Sequence, residues 1–287
     1  MEVSQNLTVR PVSREDISQL GELLSRGRYV HRHMDWRTPL EWIGHSPYFV
    51  LEKEGSINSV LACPPDPTTI GWVRVFASYG SISVNKAWQI LWQEVNRYLS
   101  RFSISRVAVI TTKNWFQKIL REYDFSFHQD IIILNWDHMA SIPAYDKRSI
   151  HIREMIEDDL PRIELLDLLA FEAIWHNSLN ALIRAFKQAA YASVITEGEK
   201  IIGYQVSTMS LLGGHLARLA IHPDYRSRGL GRALVCDLIQ KFGEMGAQRV
   251  TVNTQSDNLA SLALYEKLGF QQTGERYPVY IYERISV

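Results

Sequence analysis

The chain has 287 residues, 46% of them apolar, which is enough for one or two domains with sizeable cores. Lys plus Arg and Asp plus Glu both number 31, a balance that argues against a general nucleic-acid or membrane-surface binder. Two cysteines without a Cys-x-x-Cys, no basic and apolar leader, and no apolar run near the roughly 18 residues of a membrane helix predict a reduced, cytoplasmic protein, neither disulfide scaffold nor cysteine zinc site.

In chain order, a short strand is predicted at Thr8 to Pro11, followed by a helical stretch whose acidic start is Arg14-Glu15-Asp16 and which runs to about residue 43. Two strands around a glycine turn follow in "YFVLEKEGSINSVLA". Next come a strand at Trp72 to Ala77, a helix at Lys86 to Arg101, a strand at Val107 to Thr111, a helix at Trp115 to Tyr123 and a closing strand. The same order then recurs. His151 to Glu154 is a strand, and helix runs to about residue 188. A glycine-turn hairpin precedes a strand at His215 to His222. The helix Leu230 to Met245 aligns Leu230, Leu234, Leu238, Ile239 and Phe242 on one stripe. A strand at Arg249 to Thr254, a helix at Leu259 to Leu268 and closing strands complete it, with Gly269 suited to a left-handed cap.

The recurrence is visible in the letters. Arg10 and Arg153, Asp16 and Asp159, Tyr48 and Tyr191, and Gly55 and Gly198 are each 143 positions apart. Arg74 and Arg218, and Asn114 and Asn258, are 144 apart. Such a period is too long for a solenoid repeat and fits two copies of one domain, 1–140 and 148–287. The linker falls at residues 136–149, where Pro143 sits and periodicity is lost. Each copy is α/β, with a mixed sheet.

The second copy holds "HPDYRSRGLGRAL", residues 222–234: a strand, a short basic glycine loop and a helix start. Successive amides from Arg228 to Arg232 suit an anion if Gly229 and Gly231 relax the backbone, and Arg226 and Arg228 add charge. The position three after Gly231 is Leu234, so this is not the dinucleotide fingerprint, and no Walker A sequence occurs. By itself the loop reads either as a tight turn or as an anion cradle. Likewise, Asn258 is an N-cap and Tyr265 an amphipathic core position, or each is something more.

Taken together, the two segments resemble the acetyl-CoA-dependent N-acetyltransferases of the GNAT superfamily. Arg226, Gly229 and Gly231 match the R/Q-x-x-G-x-G/A signature. Asn258, Leu264, Tyr265, Gly269 and Phe270 match the second motif, N-x-x-(A/S)-x-x-L-Y-x-x-x-G-F. The resemblance covers about residues 148–287 and is nearest to the group containing bacterial ribosomal-protein alanine acetyltransferases. The tandem layout is similar to that of mycothiol synthase.

The resemblance implies two GNAT-like domains, each with a mixed, mostly antiparallel central sheet flanked by helices. It implies acetyl-CoA as cosubstrate, no metal, and a primary amine as acceptor, in a monomer or homodimer. The pyrophosphate would lie on the loop Arg226, Ser227, Arg228, Gly229, Leu230, Gly231 and Arg232. The pantetheine arm would pair along Leu219, Ala220 and Ile221, with Asn258 beside it, and Tyr265 would protonate the leaving thiolate. The pattern fails at the base. The family's glutamate, twelve positions before the tyrosine, is here Asn253, and no carboxylate precedes Asp224 in "GGHLARLAIHP". His215 is the titratable candidate; strand alternation puts it on one face with Ala217, Leu219 and Ile221. Glu172, His176 or a water relay are the alternatives. The missing carboxylate keeps open a non-catalytic acyl-CoA-binding or regulatory protein.

The first copy reads "SYGSISVNKAWQIL" at the matching loop, with Gly80, no Gly-x-Gly and Lys86 as its cation. Leu120 stands where the second copy has Tyr265. The first copy is expected to be degenerate, leaving one active site. Seven of the eight tryptophans (36, 42, 72, 88, 92, 115 and 136) fall in this half.

Overall fold

The computed structural model describes residues 7–137 and 150–284. The elements are β1 (Leu7–Pro11), α1 (Ile17–Arg26), β2 (Tyr29–Arg32), β3 (Tyr48–Lys53), β4 (Ser56–Ala62), β5 (Ile70–Trp72), β6 (Val75–Ser78), α2 (Val84–Leu99), β7 (Arg106–Ile110), α3 (Asn114–Glu122) and β8 (Ser126–Asp137). There follow β9 (His151–Glu154), α4 (Leu160–Ala170), α5 (Leu179–Gln188), β10 (Tyr191–Glu197), β11 (Lys200–Ser210), β12 (Gly213–Ile221), α6 (Leu230–Glu244), β13 (Arg249–Gln255), α7 (Leu259–Lys267) and β14 (Gln271–Glu283). No helix among the described residues is long and apolar enough to cross a membrane.

Two compact units emerge, and they do not follow the sequence halves end to end. One is Met1–His128 with Pro278–Val287; the other is Gln129–Tyr277. Within the second unit, β8 pairs antiparallel with β13, from Arg249↔Asp137 to Gln255↔Ile131. Within the first, the end of β14 pairs antiparallel with β7, from Val279↔Ile110 to Glu283↔Arg106. The halves have therefore exchanged closing strands. Trp136, written in the first half, packs with Leu216, Val250, Val252 and Phe242 in the second unit's core. The expected linker thus starts too early at residue 136, since Trp136 and Asp137 end β8; its remainder, 138–149, lies outside the described residues.

The first unit's sheet runs β1-β3-β4-β6-β2, beside the parallel pair β5/β7. Its core is aromatic: Trp88 is fully buried, stacks on Trp92 with ring centres 5.5 Å apart, and meets Phe76 and Phe116 edge-on. The helix expected to run to about residue 43 stops at Arg26. Tyr29–Arg32 is instead a strand paired with β6, and only a short 3-10 turn, Pro39–Trp42, follows. At Gly27, where the chain leaves the helix, a Cβ would meet Leu23 O at 2.6 Å and Val30 Cγ2 at 2.8 Å, so only glycine fits.

The second unit's sheet runs β8-β13-β12-β11-β10-β9. β12 and β13 are parallel and the other pairs antiparallel, the mixed, mostly antiparallel sheet expected. Helix α6 packs on one face through Val235, Leu238, Ile239 and Phe242. Both units open with the same hook. Arg10 grips Asp16 through two bonds of 2.8 Å, and Arg153 grips Asp159 at 2.7 and 2.8 Å. Each carboxylate also accepts a backbone N–H three residues back, from Ser13 and Ile156 respectively.

Candidate active site

Two features of β12 open the sheet. Its parallel pairing with β13 covers Gly214↔Val250 to Leu216↔Val252 and goes no further along β12. Against β11 the register slips from Val206↔Arg218 to Ser207↔Leu216, so Ala217 is an extra, bulged residue. The matching strands of the first unit pair from Ser59↔Ser78 to Ala62↔Val75 without a slip.

The bulge corrects the placement of His215. Cross-strand partners share a face, so Leu216, Leu219 and Ile221 point toward α6, while His215, Arg218 and Ala220 point the other way. The expected common face of His215 with Leu219 and Ile221 fails because simple alternation does not count the extra residue.

Beyond β12, residues 223–225 form a 3-10 turn and α6 begins at Leu230. Gly229 caps that helix with φ 78° and has no side chain to bond its first amides. The loop also places Ser227 at φ 63°. Left-handed residues at these positions allow successive N–H groups to turn toward one point, as an anion cradle requires. In the first unit, by contrast, Ser83 Oγ accepts from Lys86 N at the start of α2, so a side chain caps that helix.

A cleft of about 860 Å³ lies here. It is lined by Leu219, Ala220 and Ile221, by Arg226, Ser227, Gly229, Leu230, Gly231 and Arg232, and by Asn258 on the next helix. Of the expected loop residues, Arg228 does not line it. Its guanidinium lies over the Tyr225 ring, 4.8 Å from the centre, and donates to Asp224 O at 3.2 Å. Arg226 lines the cleft while donating to Ala170 O at 2.9 Å. Asn258 does two jobs: Oδ1 accepts from Ser261 N at 3.1 Å as the α7 N-cap, and its side chain faces the cleft. Among the lining residues that were not anticipated are Lys267 at the end of α7, and Ala170 and Phe171 at the end of α4. Lys267 and Phe171 carry no local signal; each reaches the cleft by the way its helix ends. The lining thus carries Arg226, Arg232 and Lys267 and no carboxylate. That donor set fits a polyphosphate.

Tyr265 is not among the lining residues. It is 4% exposed, its ring centre lies 5.5 Å from that of Phe270, and burial pushes its hydroxyl pKa up. His215 is also off the lining. Its Nδ1 is 2.9 Å from Thr251 Oγ1, and that hydroxyl donates to Gly214 O at 3.3 Å. With the hydroxyl proton so used, Nδ1–H donates to Thr251, which leaves the Nε2 lone pair as acceptor. Burial lowers the His215 pKa, against a smaller raising effect of the Asn253 side chain.

Below β12 lies a buried charged knot that the sequence did not suggest. Arg218 Nε and Nη2 donate to Asp167 Oδ2 and Oδ1 at 2.8 and 2.7 Å, and Nη2 also donates to Trp175 O at 2.7 Å. Tyr204 OH donates to Asp167 Oδ2, and Asn177 N to Oδ1 at 2.6 Å. The guanidinium lies 3.5 Å from the centre of the Phe171 ring.

Residues 154–270 match the model of the acetyltransferase (GNAT) family. The [ribosomal protein bS18]-alanine N-acetyltransferase of Escherichia coli (strain K12) is 33% identical over 86 residues, 30% of this chain and 58% of that protein. The chain therefore spans a little over half the length of that relative. Among solved structures, a tandem GNAT protein from the clavulanic acid biosynthesis pathway superposes with TM-score 0.66 at 13% identity, covering 97% of this chain and 98% of that one. A GCN5-related N-acetyltransferase from Sphaerobacter thermophilus gives 0.64 at 13%, covering 98% and 97%. These likenesses show the fold along the chain. Residues 154–270 form a GNAT acetyltransferase domain.

Proposed function

From a chain that carries a GNAT acetyltransferase domain, we propose an acetyl-CoA-dependent N-acetyltransferase that acts on a primary amine in its second half, residues 148–287. The observation that carries this reading is the cleft at the open end of β12: an α6 N-terminus capped by a glycine, three cations and no carboxylate among the described lining residues, and a strand edge that β13 leaves unpaired. The first half, residues 1–140, is a degenerate copy, in keeping with the self-capped helix at its matching loop.

The amides of residues 228–232 with Arg226, Arg232 and Lys267 hold the pyrophosphate. The strand edge at Leu219–Ile221 pairs with the pantetheine arm, beside Asn258. Acetyl-CoA supplies an activated thioester: the amine nitrogen bonds to the acetyl carbon as the carbon–sulfur bond breaks. His215 Nε2 takes the proton the amine loses, through water where the reach demands it. Tyr265 gives its phenolic proton to the departing sulfur. A phenol near pKa 10 is protonated at neutral pH, and burial of Tyr265 strengthens that condition; a thiolate near 8.5 is the weaker base, so the proton moves against the pKa difference, drawn by the charge that builds on sulfur as the carbon–sulfur bond breaks, and the phenol regains its proton from solvent. The two cysteines, both buried and free, suit the reducing cytoplasm.

The test pairs calorimetric titration of acetyl-CoA with thiol release across a panel of amines and peptide N-termini. Binding with amine-dependent thiol release supports the enzyme, and a Tyr265→Phe variant should bind acetyl-CoA unchanged while losing on the order of 10²-fold in kcat. Binding without release to any amine would favour the acyl-CoA-binding alternative, which Asn253 in place of a carboxylate base supports.

A further inference from the structure

We propose that Phe171, locked against Arg218, is the wall that limits the acyl group to a short chain. The inference rests on the acetyl-CoA reading above. It goes beyond it by assigning donor selectivity to one side chain and the buried knot behind it.

The direction of the donor follows from the cleft. Its cationic, amide-rich end lies after Ile221, at the loop and the start of α6. An arm running back along β12 passes Ile221, Ala220 and Leu219, and its acyl end arrives at Arg218 and the bulged Ala217. Arg218 and Ala220 share the face turned away from α6. On that face the Phe171 ring covers the Arg218 guanidinium at 3.5 Å and contributes to the cleft lining, and its neighbour Ala170 accepts from Arg226 at 2.9 Å.

A wall selects by size only if it cannot yield. Phe171 follows directly on α4, and its N–H donates to Asp167 O at 3.1 Å. Its ring is backed by a guanidinium that Asp167 holds at two atoms and Trp175 O at a third. Asp167 itself is 0% exposed and takes two further donors, Tyr204 OH and Asn177 N. The knot therefore fixes the guanidinium against which the Phe171 ring rests. Arg218 and Asp167 are positioning residues that act through Phe171.

The test measures binding and thiol release for acetyl-, butyryl- and hexanoyl-CoA, with wild type, Phe171→Ala and Phe171→Leu. One methylene in an apolar pocket is worth roughly tenfold. Wild type is therefore expected to prefer acetyl- over hexanoyl-CoA by at least that factor, and Phe171→Ala to shift the ratio toward hexanoyl-CoA by tenfold or more. Phe171→Leu, which keeps more of the packing, should shift it less in the same direction and serves if the alanine variant does not fold. Desulfo-CoA affinity, which has no acyl end, should stay within about twofold in both, a split that general loosening of the domain would not produce. An unchanged acyl ratio in variants that bind desulfo-CoA normally would overturn the wall while leaving the acetyltransferase reading intact. Failure of wild type to bind any of the thioesters would overturn both.

Discussion

Gly214 lies against the ring of Phe242, so close that a Cβ on it would stand 2.2 Å from Phe242 Cδ2 and 2.4 Å from Cε2. Phe242 is fully buried in the core that β12 and β8 share with α6, so the ring has nowhere to go. Gly214→Ala should destabilise the second unit by about 1–3 kcal/mol through overpacking. Gly243, on the same helix with open space around it, provides the contrast. Gly243→Ala should stabilise by up to about 1 kcal/mol. Chemical denaturation of both variants checks the pair; equal midpoints would contradict it.

The duplicated hooks set an acid limit on stability. Hydrogen bonds from Arg10 hold the Asp16 carboxyl at about 2, below its ordinary 3.8, and those from Arg153 lower Asp159. A carboxylate with a depressed folded pKa contributes stability that is present above about pH 4 and is lost as pH falls toward 2. Asp16→Asn should remove that contribution, on the order of 1–2 kcal/mol, from the first unit at neutral pH and flatten its stability profile between pH 4 and 2. Urea unfolding at a series of pH values, followed by the tryptophans of the first unit, measures it. A variant with the wild-type slope over this range would show that the hook contributes no pH-dependent stability.

Much of the fold was legible because the element order is written twice and the apolar periods are clear. What escaped reading depended on three-dimensional accidents. Ile132, Leu134 and Trp136 alternate as any closing strand does, and an alternating strand fits either unit's sheet equally well; nothing local says that it crosses to the other unit. The bulge at Ala217 hides in an unremarkable Leu-Ala-Arg-Leu, yet it decides which face His215 occupies. The strand Tyr29–Arg32 follows the helix after one turn at Gly27, where only a residue without a Cβ clears Leu23 and Val30. In the site, the glycine loop and Asn258 were readable as motifs. Phe171 and Lys267 were not, because each enters the cleft from a helix end.

The loop glycines should fail in different ways when replaced. At Gly229 a Cβ meets nothing within 4 Å, but the backbone stands at φ 78°. Gly229→Ala therefore carries backbone strain of roughly 1–2 kcal/mol and tilts the first amides of α6. At Gly231 the backbone is ordinary and the Cβ would come within 3.2 Å of Leu264 Cδ2, inside the cleft lining. Gly231→Val should leave folding within about 1 kcal/mol of wild type and still weaken CoA binding at least tenfold by filling the cradle. Titration calorimetry and thermal unfolding on the two variants separate the effects; a Gly231→Val protein that binds CoA normally would remove the loop from the phosphate site.

On the proposed mechanism, His215 sets the sign of the pH dependence of turnover. Burial lowers its pKa below the ordinary 6.5, so the imidazole is neutral at pH 7 with Nδ1–H given to Thr251. A base works in its unprotonated form, so kcat/KM should fall as pH drops through that lowered pKa, giving an acid limb below pH 6.5 rather than above it. Thr251→Val removes the hydroxyl that fixes the tautomer. It should lower kcat several-fold with little change in acetyl-CoA affinity. His215→Asn should slow turnover by on the order of 10²-fold and abolish the limb. The measurement is a pH–rate profile with saturating acetyl-CoA and an amine whose own pKa lies well away from the limb. An acid limb that persists in His215→Asn would assign the proton acceptor to another group, with Glu172 and His176 on the α4–α5 connection the next residues to replace.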